Sequence, residues 1–349
     1  AVALVLWGFE TAQTRGETVA MVLQLLGVRL IRERGPWAPR LEVIPVEQLG
    51  RPRVDVVVTI CGFFREMFPN LITLIDEAVR MVASLDEPPE VNYVRKHYLE
   101  MKGKLGGEPL VRIFGPKPGT YGTRIPEFVE ASSWSGEGEL AEVYLQDMSY
   151  GYGAGVHSVE ARELLAEVLR RVDFVAQVRS TTEYDITDLD HYYEFLGGLR
   201  KTLEVLKGEK VEALWLDTTG EREVVRSAEE AIDFSARTRL LNPKWIEGML
   251  SHGYDGAREI AKRVEYLLGH AALTGGVSDW VWDKVAETYV FNESVRRRLM
   301  ESNPWALYEI LRRLYEAYKR GYWKAREETI EDLINISAEV EALLESSAE

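Results

Sequence analysis

Thr181-Thr-Glu-Tyr-Asp-Ile-Thr-Asp-Leu-Asp-His191-Tyr-Tyr-Glu194 is the densest polar stretch of the 349-residue sequence, with five acids and one histidine inside 12 positions. If a helix opens near Asp188 or Asp190, His191 and Glu194 stand three apart and share a face. An imidazole beside a carboxylate can hold a divalent cation or accept protons, so Asp188, His191 and Glu194 are candidate catalytic residues, and Glu183, His191 and Glu194 candidate metal ligands. The competing reading makes Asp188 or Asp190 a helix N-cap and leaves the other acids solvated or favoured by the helix dipole.

Other candidates lie where strands should end. Gly115-Pro-Lys-Pro-Gly-Thr-Tyr-Gly122 is stiffened by prolines and opened by glycines. Lys117 there is suited to pair with an anionic group and Tyr121 to stack on a flat ligand, unless the segment is a plain surface loop. Arg65, after Cys61-Gly-Phe-Phe, is placed to hold a carboxylate bidentately, and Glu10 closes the similar segment Trp7-Gly-Phe-Glu10. His252 and Tyr254 occupy a turn, Leu250-Ser-His-Gly-Tyr-Asp-Gly256, where the histidine either caps a helix or meets a ligand. No phosphate loop is present, and Gly151-Tyr-Gly-Ala-Gly155 lacks the third glycine of a dinucleotide fingerprint. This chain is therefore expected to bind no ATP of its own.

The positioning elements are set by hydrophobic period. Val2–Trp7, Leu41–Val46, Asp55–Ile60, Val111–Phe114, Phe174–Val178 and Val211–Leu216 read as strands, with helical spacing at Gly16–Leu26, Phe63–Ala83, Glu137–Gln146, Glu160–Arg171 and Asp190–Leu206. Glycine-rich loops fall at Gly103–Gly107, Gly115–Gly122, Gly136–Gly138 and Gly151–Gly155. From about Ser227 only helical period remains, and Asn242-Pro243 and Asn303-Pro304 mark helix starts. The predicted fold class is α/β, a Rossmann-like parallel sheet region followed by an all-α helical region. Residues 1–222 form the first domain, whose strand-end loops make the ligand and metal cleft, and residues 223–349 the second. In open α/β sheets ligands bind at the carboxyl ends of strands.

A formal net charge of −15 argues against nucleic acid as a partner. No apolar run reaches the roughly 20 residues that span a bilayer. A single cysteine, Cys61, excludes an intramolecular disulfide and suits a cytoplasmic location. The sequence opens at Ala1 directly into a strand, which suggests a piece of a longer protein.

The order of short motifs carries a resemblance. Leu6-Trp-Gly-Phe-Glu-Thr11, Thr14-Arg-Gly-Glu17, Leu49–Val58, Asp86-Glu-Pro88, Asn92-Tyr-Val-Arg-Lys-His97, Arg112-Ile-Phe114, Asp188–Tyr193, Leu241-Asn-Pro-Lys-Trp245, Ser251–Gly256 and Arg320-Gly-Tyr-Trp323 run through nearly the whole chain. Together they resemble the large subunit of ATP-dependent tetrapyrrole metal chelatases, the cobaltochelatase and magnesium chelatase family. The resemblance implies the carboxy-terminal quarter to third of a longer subunit that binds the tetrapyrrole. ATP hydrolysis would then lie on AAA+ ATPase and integrin-like partner subunits. The amino-terminal remainder of the polypeptide would be needed for activity, so the isolated piece is expected to be inactive. It also implies a divalent metal as substrate. The Gly115–Gly122 loop is similar to the cobalt branch, whereas Leu240–Trp245 and Met249–Tyr254 are similar to the magnesium branch. Cobalt insertion for cobalamin biosynthesis is the favoured expectation, with magnesium insertion into protoporphyrin as the alternative. A non-catalytic tetrapyrrole-binding scaffold, or an unrelated sugar-transferring α/β enzyme, are the rival readings.

Overall fold

A computed structural model describes residues 1–31, 40–105, 109–153 and 155–346; Gly106, Gly107 and Ala154, from two of the glycine-rich loops, lie outside the described residues. The strands are β1 (Val2–Leu6), β2 (Val28–Ile31), β3 (Arg40–Val43), β4 (Val56–Ile60), β5 (Ile113–Gly115), β6 (Tyr150–Gly153), β7 (Val156–Glu160), β8 (Phe174–Arg179), β9 (Glu212–Asp217) and β10 (Val224–Ser227). Eight of them form one sheet in the order β10-β9-β8-β1-β4-β5-β6-β7. In β1 and β4 every residue is buried, as continuous apolar runs require when both sheet faces are covered. They pair in parallel with Val2 opposite Val56, and β8 flanks β1 in parallel on the other side. Strands β5 and β9 extend the parallel run. The carboxyl ends of β9, β8, β1, β4 and β5 therefore share one edge.

The parallel pattern stops at β5. β6 and β7 run antiparallel, so the Gly151–Gly155 segment, expected as a loop, supplies strand residues. Its glycines serve close approach: a Cβ on Gly153 would lie 2.5 Å from an Asp76 carboxylate oxygen. β3 leaves the main sheet altogether and pairs with β2 in a separate antiparallel ribbon.

After Ser227 every described element is helical. Asn242 and Asn303 accept from the backbone N–H of Lys244 and Ala306 and so cap helices that open with proline. Ser227 and Glu230 form a reciprocal capping box. No helix among the described residues is long and apolar enough to cross a membrane.

The chain divides into two compact units that are not the two successive stretches 1–222 and 223–349. A sheet unit takes residues 1–125, 138–181 and 198–225, and a helical unit takes 126–137, 182–197 and 226–349. The physical reason is visible at Arg313, only 1% exposed, on helix Pro304–Lys319. Its guanidinium donates to the carbonyls of Val129 and Glu130 and to Ser132 Oγ, and pairs with Glu265. Arg320 adds bonds to the carbonyls of Ser132 and Trp134. Segment 126–137 is thereby claimed by helices nearly two hundred residues downstream.

Candidate functional site

In the helical unit, Asp190–Tyr192 is a single α-turn that passes into a π-helical turn, Tyr193–Gly197. A π-turn inserts one residue into the helical period, and such turns concentrate at functional sites. This one turns Glu194 inward, where it is 1% exposed. His191 stays at the surface, its side chain 55% exposed, and its Nδ1 lies 2.7 Å from Glu194 Oε2. Asp190 Oδ1 is 3.7 Å from the same nitrogen. Burial of the ring works against its cation, but the hydrogen bond and charge of Glu194, with Asp190 beyond, outweigh it and raise the His191 pKa above the usual 6.5. Tyr193, next to Glu194 in sequence, packs on a second buried ring, that of His270. His270 donates from Nε2 to the Ile186 carbonyl at 2.8 Å, and burial pushes its pKa down to about 4. Tyr193, packed edge-on to His270, is held neutral by burial. A buried carboxylate is thus hydrogen-bonded to a half-exposed imidazole.

Asp188 departs from its expected catalytic role. Its side chain is fully buried, with Oδ1 3.0 Å from Arg263 Nε and Oδ2 3.0 Å from Arg239 Nη1, and Oδ2 also accepts from the Asp185 N–H. Both oxygens are committed to ion pairs that tie residues 182–188 to helix Gly253–Leu273 and to the π-turn Ala236–Leu240. Glu183 also departs from expectation: its carbonyl accepts from Arg239 and its side chain is exposed. Among the described residues no group of three or more His, Cys, Asp or Glu is arranged to hold a metal, so Glu183, His191 and Glu194 do not form a preassembled ligand set. His252 closes helix Pro243–Ser251 with Gly253 behind it at φ +58°, and both His252 and Tyr254 are exposed at that turn.

The remaining candidates belong to the sheet unit. Glu10 is 3% exposed and receives Thr14 Oγ1 at 3.0 Å and Thr18 Oγ1 at 2.9 Å on one oxygen and Thr11 Oγ1 on the other. Burial raises its pKa against these bonds. It knots helix Gly8–Thr14 to helix Glu17–Leu26 and presents no carboxylate at the surface, contrary to a substrate-binding role. Arg65 is likewise spent: its Nη1 donates to the carbonyls of Pro116, Lys117 and Thr120 at 2.9, 3.0 and 3.2 Å. It holds the glycine loop onto helix Gly62–Met67, and its Nη2 already pairs with Glu66 at 3.0 Å. Lys117 and Tyr121 ride on that loop, both exposed, with Tyr121 OH donating to Glu66.

Sequence reasoning overlooked two phenylalanines. Phe9 and Phe63 come after β1 and β4 and stack with ring centroids 4.8 Å apart and planes 14° from parallel. The signal was a shared Gly-Phe after each buried strand, Gly8-Phe9 and Gly62-Phe63. It also overlooked Arg239 and Arg263, for which no local pattern gives a hint.

A titration checks the His191 environment. By NMR, His191 should titrate above its ordinary value, and Glu194→Gln should bring that midpoint down. A folded-state pKa above the unfolded one means the pair contributes stability below the unfolded value and loses it as pH rises through the folded value. A midpoint at or below the ordinary range that ignores Glu194→Gln would contradict this geometry.

Residues 1–330 match the family model described as CobN/Magnesium Chelatase. The magnesium-chelatase subunit ChlH of rice, Oryza sativa subsp. indica, is 39% identical over 99% of this chain and 25% of its own length. The aerobic cobaltochelatase subunit CobN of Pseudomonas aeruginosa is 37% identical over 95% of this chain and 28% of its own. The solved catalytic subunit of cobaltochelatase from Mycobacterium tuberculosis superposes with a TM-score of 0.95 at 38% identity, covering 98% of this chain and 30% of that one. The chain thus spans 25% to 28% of the length of the rice and Pseudomonas relatives.

Proposed function

Because the chain belongs to the CobN/magnesium chelatase family, we propose that it is part of the tetrapyrrole-binding large subunit of an ATP-dependent metal chelatase that inserts cobalt into a corrin precursor. The observation that carries the chemistry is the His191–Glu194 pair. Metal insertion requires two ring N–H protons to leave and a hydrated cation to shed water onto oxygen or nitrogen ligands. A sheltered carboxylate backed by a half-exposed imidazole can take up a proton and release it to solvent. The raised His191 pKa tunes that exchange toward neutral pH. ATP hydrolysis is assigned to AAA+ and integrin-like partner subunits, in keeping with a sequence that carries no phosphate loop. Cobalt is favoured by the Gly115–Gly122 loop. Magnesium insertion into protoporphyrin is the second reading, favoured by Leu240–Trp245 and Met249–Tyr254.

The test uses the full-length subunit containing this chain. Absorbance titration with a metal-free corrin precursor and with a porphyrin should show a spectral shift with at least one ring. Adding partner subunits, ATP and either Co²⁺ or Mg²⁺ should then yield the cobalt corrin faster than the magnesium porphyrin. No shift with either ring would remove the functional reading, and the opposite metal preference would replace cobalt by magnesium.

A further inference from the structure

Two adjacent parallel strands, β1 and β4, are each followed, one residue beyond their ends, by glycine and phenylalanine, and at both places the glycine permits close packing. A Cβ on Gly8 would lie 2.1 Å from the Phe63 ring, and one on Gly62 would lie 2.5 Å from the Thr120 carbonyl oxygen. Only glycine lets helix Gly8–Thr14 and the 116–121 loop close on the two sides of helix Gly62–Met67. Arg65 then pins the loop by three carbonyls, so its shape is set in advance. The result is a row of outward apolar side chains at the carboxyl edge of the sheet: Phe9 65%, Met67 56% and Tyr121 57% exposed, with Phe63 stacked flat beneath Phe9. Scattered exposed apolar residues are ordinary, but these follow two neighbouring parallel strands, at the edge where open α/β sheets bind ligands. Near-parallel stacking presents a ring face, suited to a broad flat partner rather than to a peptide. Lys117, exposed on the pinned loop, adds a cation beside the row.

Resting on the function proposed above, we propose that Phe9, Phe63, Met67 and Tyr121 form the surface on which a face of the tetrapyrrole lies, with Lys117 pairing a carboxylate at the ring's rim. The flat stack matches the macrocycle, and the lysine matches its acidic periphery.

The experiment is fluorescence titration of the full-length subunit with a metal-free dicarboxylic porphyrin and with its dimethyl ester. Phe9→Ser, whose ring is mostly in solvent, should fold normally and weaken porphyrin binding by about tenfold. Lys117→Ala should weaken the diacid but not the diester. Trp305→Ala, an exposed aromatic of the helical unit, should bind as wild type. If wild type binds and both Phe9→Ser and Lys117→Ala bind equally well, this surface is not the ring's seat, while the functional reading stands. If Phe9→Ser instead lowers affinity for a partner subunit and leaves ring affinity intact, the row is a protein contact and the proposal is overturned. If wild type binds neither these porphyrins nor the metal-free corrin precursor, the functional reading itself falls.

Discussion

Replacing Asp188 with alanine should cost the protein about 3–5 kcal/mol of stability, read as a lowered urea midpoint, before any effect on chemistry is visible. The carboxylate is fully buried between Arg239 and Arg263, whose side chains are 21% and 11% exposed. Removing it leaves two guanidinium groups facing one another with no anion between them. It also strips the Asp185 N–H of its acceptor and unties residues 182–188 from helix Gly253–Leu273. Asp188→Asn should fall between, since it keeps a hydrogen-bonding oxygen but not the charge. An unchanged midpoint together with abolished metal insertion would return Asp188 to the catalytic group.

Glu194→Gln should lower metal insertion by roughly 10²–10⁴-fold in the full-length protein with its partner subunits, the usual weight of a positioned proton acceptor. The amide has the carboxylate's shape and fits the same site, so folding should survive. Ring binding should be unchanged, because the proposal gives Glu194 a role in proton transfer and not in holding the macrocycle. The low-pH limb of the rate profile should move as well, since His191 loses the charge that raises its pKa. Turnover and pH profile both equal to wild type would reduce His191 and Glu194 to a structural ion pair at the start of the π-turn.

How legible this was depended on the reach of each signal. β1 and β4 were readable because a strand buried on both faces must be a continuous apolar run, and β8 and β9 from the shorter apolar centres Val175-Ala176 and Ala213–Leu216. The β6–β7 hairpin was not, because Gly151 and Gly153 look like loop residues until Val111 and Asp76 are seen pressing on them. β2, four residues of which Arg29 is exposed, gives too short a pattern to register. The long helix expected over Phe63–Ala83 breaks at Phe68 because Pro69 starts a new one, a signal present in the sequence and passed over. At the site, the three-residue spacing of His191 and Glu194 could be read locally. The saturation of Glu10 could have been, since Thr14 and Thr18 stand four and eight positions downstream. Asp188 could not, because its partner Arg263 is 75 residues away.

The interleaving of the two units has a consequence for synthesis. The sheet unit has all its chain once residue 225 is made, while segments 126–137 and 182–197 still await residues 226–349. At about 5–20 residues per second, the ribosome needs roughly 6–25 s to deliver the rest. Through that interval Phe195, Leu196 and the Asp188 carboxylate, all buried in the finished protein, have no helical partners to bury them. A sheet unit that folds as soon as its chain is complete leaves both insertions uncovered through that interval, and a chaperone that shields them then should raise the yield of folded protein more than one that acts later.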